Sequence, residues 1–410
     1  MKILLISELA PTVENYNGPS ALNYHLLHAL KKYADVYIIT TNGNKVPYAI
    51  LKKSISSFKN KYDIRKRSLL MKLIVSDRTD WLFSMFSLIS LPNLTRYKLS
   101  MDILKKIENF NPDLIIVYPD VLLGVMKQLG EKYKVLVIGP DCNPLFGLRT
   151  LDDRYVYDKN LFNKTLINLY RQINLEKQIT KYCDYVGLVG LKDQMLFKKI
   201  TNSKKAYFIP HPHYSLSNDK HLFATAKIKI VVSGKYDIYT YSAINEMFEY
   251  FSVNSQCLQE FSFTFIGKNW TGFIKRWNRV LDIKHIDWVD NYIEEISSYD
   301  IQLFPMSVGC GTKGKVLDAL SSGLLCIGTR FAFENIAVRD KESCILYESP
   351  NDVVFVLKDL LIRKEKYKQI AKRGKLMVRE YHNPDYVGKV IYELCFNNRY
   401  IVQEAIYNNF

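Results

Sequence analysis

Hydrophobic positions along this chain fall into short, mainly apolar runs, separated by longer stretches in which apolar residues recur every three or four positions. The short runs are typical of strands buried on both faces of a parallel sheet, and the longer stretches are typical of amphipathic helices. The runs occupy residues 3–7, 36–40, 114–118, 135–139, 185–189 and 206–209, and then 228–232, 261–266, 283–288, 301–304, 325–328 and 344–347. This alternation predicts an α/β fold with Rossmann-like parallel sheets.

The alternation pauses at residues 210–220, a stretch with two prolines and few apolar side chains that we interpret as an interdomain linker. A chain of 410 residues also exceeds what one hydrophobic core usually supports. We therefore predict an N-terminal Rossmann-like domain over residues 1–212 and a C-terminal one over residues 213–384, facing each other across a cleft. Residues 385–410 are predicted to form a helical segment that closes the structure, with a return to the N-terminal domain as one option.

The most informative loop follows the apolar run at 301–304. It reads Gly309-Cys-Gly-Thr-Lys-Gly-Lys315 and leads into a segment of helical periodicity that carries Asp318. Glycines let backbone N–H groups approach a ligand closely, lysines supply positive charge, and a helix N-terminus adds a partial positive charge. The loop therefore predicts an anion site, and a phosphate is its natural ligand.

Three interpretations of this loop are open from the residues alone. The spacing of Gly314 and Lys315 after Gly309 nearly matches a Walker A motif, but Val316 stands where a hydroxyl would bind Mg²⁺. A nucleotide sugar could instead place its diphosphate on the loop and its ribose hydroxyls on Asp318. The third interpretation is a glycine-rich turn with two solvated lysines.

Ligands of open parallel sheets bind beyond the carboxyl ends of the strands, so the loops at those ends hold further candidates. They are Asn17 and Gly18 after the first run, Asp141 and Arg149 after residues 135–139, Lys235 after residues 228–232, and Trp288 at the end of residues 283–288. For the tryptophans we favour core packing over base stacking. We interpret His211 and His213 as linker residues, because two histidines without a carboxylate or cysteine partner make a weak metal site.

The net charge is +16 and is unevenly spread: residues 51–72 carry eight basic residues against one aspartate, and an aromatic and apolar run at 81–91 follows. This pairing is typical of a protein that lies on an anionic membrane surface, although a solvated helix face followed by a buried helix fits equally well. The arrangement argues against nucleic acid as the partner, because the aromatic residues cluster with aliphatic ones and are not interleaved with the basic ones.

Cysteine spacing bears on the compartment. The seven cysteines are scattered without a C-x-x-C pair, which argues against a disulfide framework and against a zinc site. We interpret the N-terminal MKILLIS as a first strand, because its apolar run is too short for a signal peptide, and no stretch approaches the ~20 apolar residues of a membrane span. We expect a cytoplasmic protein, with peripheral association with the inner face of the plasma membrane as an option.

Residues 308–329 resemble the signature G-x-G-x-K-x-K-V-L-E-A-x-A-x-G-x-P-V-V-x-T of the retaining GT-B glycosyltransferases of the family 4 type. Glu176 with the following Asp184 and Asp193 is similar to the upstream part of that family, and Ile209-Pro210-His211 stands where those enzymes have I-P-N-G. The chain departs from the pattern at Cys310, where the first glutamate of an E-x7-E motif would stand, and has Asp318 at the second.

The resemblance implies an enzyme that moves a sugar from a nucleotide-diphosphate donor, most naturally a UDP- or GDP-sugar, to a glycan or lipid-linked saccharide in bacterial-type surface polysaccharide synthesis. It implies retention of anomeric configuration and no metal or other cofactor. The donor-binding residues would be Gly18, Lys235, Trp288, Gly311, Thr312, Lys313, Lys315 and Asp318. The acceptor-binding residues would be Asn17, Asp141 and Arg149, and the catalytic residues Asp141, Lys235 and Lys315.

Two alternatives to this enzyme are open. The cysteine at position 310 motivates a catalytically degenerate GT-B domain that serves as a glycan-binding or membrane-associated assembly subunit. The near match to Walker A motivates a P-loop-type nucleotide-binding protein.

Overall fold

The computed structural model describes residues 1–12, 18–55, 62–64, 91–139, 141–152, 159–213 and 221–408. These residues divide into two compact units, which are described separately. The first unit contains the described parts of Met1–Asp152 and Val156–Pro212, together with Pro384–Val402. The second contains the described parts of His213–Asn383 and Gln403–Phe410. Asn17 and most of the basic and aromatic stretch at 51–91 lie outside the described residues.

The first unit is built on a parallel sheet of seven strands in the order β3-β2-β1-β4-β5-β6-β7. The strands are β1 Lys2–Ser7, β2 Asp35–Thr40, β3 Tyr62–Ile64, β4 Leu114–Tyr118, β5 Val135–Gly139, β6 Tyr185–Leu188 and β7 Ala206–Phe208. Its helices are α1 Gly18–Leu30, α2 Tyr48–Ile55, α3 Met101–Phe110, α4 Leu123–Leu129, α5 Asn143–Asp152, α6 Lys159–Ile179 and α7 Leu191–Thr201. A last helix, Pro384–Asn397, also belongs to this unit.

The centre of this sheet is buried on both faces. Every residue of β4 and of β5 is buried, and β1 pairs with β2 on one side and with β4 on the other. A strand covered on both faces has no position where a polar side chain reaches water, which explains why these strands read as continuous apolar runs and not as alternating ones.

The helix Pro384–Asn397 packs closely against α1. A Cβ added at Gly388 would lie 2.0 Å from the carbonyl oxygen of Ala29, so only glycine permits this approach. Lys32 and Asp385 form an ion pair of 2.8 Å at the edge of the contact. Both of those side chains are mostly exposed, so the contact depends on the close backbone packing and not on the ion pair.

The second unit repeats the design with six parallel strands in the order β10-β9-β8-β11-β12-β13. They are β8 Ile228–Ser233, β9 Phe261–Ile266, β10 Ile283–Ile286, β11 Ile301–Phe304, β12 Leu325–Gly328 and β13 Ile345–Leu346. The helices are α8 Tyr241–Val253, α9 Thr271–Trp277, α10 Tyr292–Ile296, α11 Gly314–Ser321, α12 Arg330–Phe333, α13 Pro350–Ile362 and α14 Lys364–Tyr381. The helix Pro384–Asn397 of the first unit is α15.

Aromatic side chains dominate the core on one side of the second sheet. Phe248 on α8 contacts Phe263 and Phe265 on β9 with ring centroids 5.5 and 5.4 Å apart, and both pairs are edge-to-face. Trp270 is fully buried beside Phe265, with centroids 4.6 Å apart. Edge-to-face contacts of this kind add to the free energy gained by burying the rings and hold this core in one arrangement.

The predicted fold class, α/β with two Rossmann-like parallel-sheet domains, is confirmed. Each of the twelve apolar runs contains a strand, and the short edge strand β3 is additional. Trp270 and Trp277 are core residues as predicted, whereas Trp288 is 58% exposed, so the core prediction was wrong for it. His211 and His213, which were interpreted as linker residues without a carboxylate partner, are both buried, and His213 lies 2.7 Å from the Asp318 carboxylate.

Among the described residues, no helix is both long and apolar enough to cross a bilayer.

Candidate functional site

In the second unit, β9, β8 and β11 are neighbours in the sheet, so the segments that follow them meet at one edge. A glycine follows each of β8 and β9 directly, at Gly234 and Gly267. The loop 305–313 follows β11 and ends where α11 begins. Lys235 and Lys315 are exposed at the same edge. The carboxyl edge of this sheet therefore combines glycines, exposed lysines and the start of a helix.

Two glycines keep the ends of β8 and β9 free of side chains. Gly234 has φ +136° and Gly267 has φ +131°, a backbone conformation that other residues rarely adopt. A Cβ at Gly267 would lie 2.2 Å from the carbonyl oxygen of Gly234, and the indole nitrogen of Trp270 donates a 2.8 Å hydrogen bond to that same oxygen. Lys235, the next residue after Gly234, is exposed at this edge.

Lys313 holds the glycine loop together. Its Nζ donates to the carbonyl oxygens of Cys310 and Gly311, at 2.6 and 3.0 Å. Gly311, with φ +60°, also accepts a 2.9 Å hydrogen bond from the side-chain amide of Asn335. The ammonium of Lys313 is thus engaged with its own loop, so its main observed role is to fix the loop's shape.

Lys315, in the first turn of α11, stands over an aromatic ring. Its Nζ is 4.6 Å from the ring centroid of Tyr292, a cation–π contact. The surrounding protein lowers the pKa of Lys315, and the carboxylate of Asp318 partly opposes this shift. Part of the residue remains exposed to solvent, so its ammonium is crowded by protein without being sealed from a ligand.

Tyr292 is held in place by a polar pair. Its hydroxyl makes a 2.6 Å hydrogen bond with the Ser233 hydroxyl and accepts a 2.9 Å one from the amide nitrogen of Gln302. Burial raises the pKa of Tyr292, so it stays neutral across the physiological range. The amide oxygen of Gln302 is buried and accepts no hydrogen bond within the described residues.

Asp318 is one helical turn beyond Lys315, and it has a partner from far away in the chain. The Nε2 atom of His213 lies 2.7 Å from its Oδ1. The side chain of His213 is 7% exposed and that of Asp318 is 23% exposed. Residues three apart on a helix share a face, so Lys315 and Asp318 offer a cation and a hydrogen-bond acceptor side by side.

A second acidic site lies at the carboxyl edge of the first sheet. Asp120 comes two residues after β4 and Asp141 two residues after β5, and these two strands are paired. Asp120 is 4% exposed, and burial together with the charge of Asp141 raises its pKa to about 7. The buried hydroxyl of Tyr118 has no hydrogen-bond partner in the described chain, and burial and both carboxylates raise its pKa.

Glu176 continues this acidic region inside the first unit. It is 1% exposed, and its pKa is raised by burial and by the charge of Asp120. Neither carboxyl oxygen has a well-formed hydrogen bond in the part of the chain described, and only the weakly donating thiol of Cys142 opposes the shift. Asp193 accepts a 2.8 Å hydrogen bond from the backbone nitrogen of Cys142. Burial and the neighbouring carboxylate therefore favour the neutral form of Glu176.

The structure places the predicted site residues as follows. Gly311, Thr312, Lys313, Lys315 and Asp318 share one loop and the helix after it, and Lys235 follows an adjacent strand of the same sheet. Trp288 follows β10, where the Nζ of Lys268 lies 5.9 Å from its ring centroid. In the first unit, Gly18 begins α1, Asp141 precedes α5 and Arg149 lies within it, both half-buried.

Three residues of the observed geometry were not predicted as site residues: Tyr292, Asp120 and His213, which was interpreted as a linker residue. The strand-end rule could have found Asp120, because it follows the predicted strand at 114–118. His213 contacts Asp318 across 105 positions of sequence, and no local pattern signals such a pairing.

Comparison with known proteins gives a family model and a fold. Residues 252–391 match the family model described as glycosyl transferase-like. No curated protein matches the chain by sequence. Among solved structures, Anabaena Alr3699/HepE in complex with UDP-glucose matches with a TM-score of 0.65 and 11% identity, over 96% of this chain and 98% of that one.

Two other structures match over a similar extent. The sucrose-phosphate synthase of Thermosynechococcus elongatus has a TM-score of 0.67 and 14% identity, covering 96% of this chain and 98% of that one. The lipopolysaccharide outer core galactosyltransferase WaaB has a TM-score of 0.59 and 12% identity, covering 97% and 100%. At these identities the likeness is one of fold, and it confirms the predicted resemblance to GT-B glycosyltransferases, while the family 4 level remains a prediction.

Proposed function

We propose that this protein is a glycosyltransferase that transfers a sugar from a nucleotide-diphosphate donor to a hydroxyl of a glycan or lipid-linked saccharide. The observation that carries the proposal is the carboxyl edge of the second sheet. There a glycine loop and the start of α11 come together with Lys315 and Asp318 on one face of that helix. A nucleoside diphosphate presents the matching groups, two phosphates next to a ribose with vicinal hydroxyls.

Stabilising the departing diphosphate would be the main catalytic task. Glycosyl transfer builds negative charge on that leaving group, while the sugar becomes cationic. Lys315 and the backbone N–H groups at the start of α11 would balance the charge, and Lys235 would add to them from the neighbouring strand end. Because lysines and N–H groups can do this alone, we propose that the reaction needs no metal.

Asp141 in the first unit would serve the sugar end of the reaction, either by orienting the acceptor hydroxyl or by stabilising the cationic sugar. It is half-buried beside the buried Asp120, and an acid with a raised pKa next to it would limit the accumulation of negative charge. Arg149 on the following helix is proposed as an acceptor contact. We propose retention of the anomeric configuration, on the resemblance to family 4.

The structural neighbours support the choice of donor. HepE is seen with UDP-glucose, the Thermosynechococcus protein is a sucrose-phosphate synthase, and WaaB is a galactosyltransferase. A UDP-hexose is therefore the first donor to test, followed by GDP- and dTDP-sugars. The WaaB likeness also favours synthesis of a surface polysaccharide as the setting.

The test is titration calorimetry of the full chain with UDP, GDP and dTDP, followed by a nucleotide-release assay with the corresponding sugars. We expect binding of one nucleoside diphosphate, and turnover with its sugar that persists in EDTA. Binding without any release over the whole sugar panel would favour the assembly-subunit alternative that the cysteine at position 310 motivates. Binding of none of the three would refute the proposed donor site, and loss of turnover in EDTA would refute the metal-free mechanism.

We also propose a cytoplasmic location with peripheral association with an anionic membrane surface through residues 51–91. The support is the charge of the sequence itself, since most of that stretch lies outside the described residues. Co-sedimentation with phosphatidylglycerol vesicles should fall when Arg65, Lys66 and Arg67 are replaced by Gln, and undiminished binding would contradict the proposal.

A further inference from the structure

The contact between His213 and Asp318 stands out because it joins a buried histidine to a carboxylate of the proposed donor site. The two atoms are 2.7 Å apart, a short, charge-assisted hydrogen bond when Nε2 carries the proton. Nε2 carries a proton in the imidazolium and in one of the two neutral tautomers, so the bond does not require a charged histidine. The pair therefore fixes one oxygen of Asp318 in place before any ligand arrives.

His213 is itself firmly positioned. Its backbone N–H donates a 2.6 Å hydrogen bond to the carbonyl oxygen of His382. His382 is fully buried, its ring accepts a 3.2 Å hydrogen bond from the backbone N–H of Ala337, and it packs edge-on against Tyr407 at 5.4 Å. A residue whose backbone is anchored in this way and whose side chain is buried can hold the rotamer of its partner, since side chains locked by packing keep functional groups in place.

The hydrogen bond to His213 gives the two carboxylate oxygens of Asp318 different surroundings. Oδ1 is occupied by the histidine, while Oδ2 has no hydrogen-bond partner within the described residues. A carboxylate accepts hydrogen bonds only, and a sugar hydroxyl is a donor of the kind that Oδ2 can take. The partial exposure of Asp318, at 23%, leaves room for such a contact.

We propose that His213 is a positioning residue that orients Asp318 toward the ribose hydroxyls of the bound nucleotide, so that selection for an intact ribose depends on His213. This inference rests on the proposed donor site, and it adds a residue outside both the glycine loop and α11. Asp318 stands where the family motif has a glutamate. An aspartate side chain is one methylene shorter, so its carboxylate reaches less far, and its rotamer decides whether it meets the same hydroxyl. His213 supplies that direction.

The test compares nucleotides that differ by one hydroxyl. Titration calorimetry gives the affinity for UDP, 2′-deoxy-UDP and 3′-deoxy-UDP, or for the GDP series if GDP is the tighter ligand. In the native protein we expect one deoxy analogue to bind about tenfold or more weakly, because it lacks a hydrogen bond to a charged group. In His213→Phe, which keeps a ring but no donor, UDP itself should weaken and the difference between UDP and the analogue should shrink to less than about threefold.

His213→Gln is the matched control. The Gln side-chain nitrogen lies about where Nε2 does, so this variant should restore the preference for the intact ribose, which a role in packing alone would not produce. If His213→Phe does not fold, as judged by circular dichroism, His213→Asn replaces it, because its amide is too short to reach Asp318.

The outcomes separate this inference from the one on which it rests. Native protein that binds neither UDP nor GDP would refute the donor site itself. Native protein that binds a nucleoside diphosphate equally well with and without each hydroxyl would refute the inference alone. A full preference for the intact ribose in the variant that lacks the donor would also refute it.

Discussion

The carboxyl edges of the two sheets are built on the same plan and carry opposite chemistry. In the first unit the segments after β4 and β5 bring the carboxylates of Asp120 and Asp141 together. In the second unit the equivalent edge has Gly234 and Gly267 and the cation of Lys315. Strand order and burial are alike in both sheets, so the difference lies in the residues that follow the strands.

The comparison shows how one architecture can carry two kinds of edge. Glycines and a helix start expose backbone N–H groups, which suit an anion. Buried carboxyl groups in a dry surrounding hold protons more tightly, and such groups suit hydrogen bonding to hydroxyls. The fold determines where these residues stand, and their chemistry decides what each edge can bind.

The largest effect we expect concerns Asp120 and the pH dependence of stability. Its pKa in the folded state is about 7 against 3.8 for an ordinary aspartate, so the folded state binds more protons than the unfolded state between these values. The contribution of Asp120 to the free energy of unfolding is therefore fully present below about pH 4 and is lost as the pH rises to about 7. The loss amounts to about 4 kcal/mol. Asp120→Asn should remove this loss and leave the variant more stable than the native protein at pH 8.

Hydrogen exchange of peptides that span β4 and β5 measures the pH dependence of stability in the first unit alone. Protection in the native protein should fall from pH 5 to pH 8, after correction for intrinsic exchange, more steeply than in Asp120→Asn. Peptides from β8 and β9 provide an internal control, because the change is in the other unit. Equal pH dependence in both proteins would mean that the acidic edge is solvated, and the contrast between the two edges would be lost.

Gly267→Ala should give the next largest effect, and in the second unit. The new Cβ would lie 2.2 Å from the Gly234 oxygen at a φ of +131°, so the backbone must shift. We expect a loss of about 2–3 kcal/mol from strain at such a position. Urea unfolding followed by tryptophan fluorescence reports it, since Trp270 is buried beside this turn.

Gly272→Ala makes the same chemical change five residues further on, in α9. No atom lies within 4 Å of its added Cβ, and alanine favours helix, so its stability should be unchanged or slightly higher. A similar loss in both variants would show that the close approach at the strand ends is not what requires Gly267.

Lys315→Ala tests whether the basic edge binds through this residue. We expect donor affinity to fall about tenfold to a hundredfold, because a charged hydrogen-bond donor to phosphate is removed, while the melting temperature stays nearly constant. Lys313→Ala should give the reverse pattern, a lower melting temperature with a smaller loss of affinity, because Lys313 bonds to its own loop. Calorimetry and thermal unfolding of both variants decide between the two roles, and identical behaviour of the two lysines would contradict them.

The sequence was sufficient for the sheets and insufficient for the pairing of side chains. Strands such as β4 and β5 could be predicted because burial on both faces makes each position apolar. The glycine loop could be placed at a ligand-binding edge because parallel strands point the same way. The direction of the Lys313 ammonium could not be predicted, since the loop's shape decides whether it meets solvent or carbonyl oxygens.

The contact of His213 with Asp318 was beyond sequence reasoning for a different reason. It depends on the position of residue 213 in the second unit and on its backbone hydrogen bond to His382, and both are set by the tertiary structure. The pKa of Asp120 likewise depends on a neighbour from another strand.

The smallest effect we expect is in the pH dependence of donor binding. The surrounding protein lowers the pKa of Lys315 below the ordinary 10.5, so its ammonium loses its proton at a lower pH than that of an exposed lysine. A phosphate is bound by the protonated form, and affinity should therefore weaken as pH rises toward 10. Lys315→Arg stays charged over this range, so its affinity for the donor should not weaken through this residue.

Because the nucleotide and the other lysines titrate equally in both proteins, the ratio of the two dissociation constants isolates position 315. We expect this ratio to change between pH 8 and pH 10 by more than a lysine with the ordinary pKa of 10.5 would produce. A change no larger than that of an ordinary lysine would mean that the protein around the Lys315 ammonium does not lower its pKa, and the contrast between the two edges would lose this part of its support.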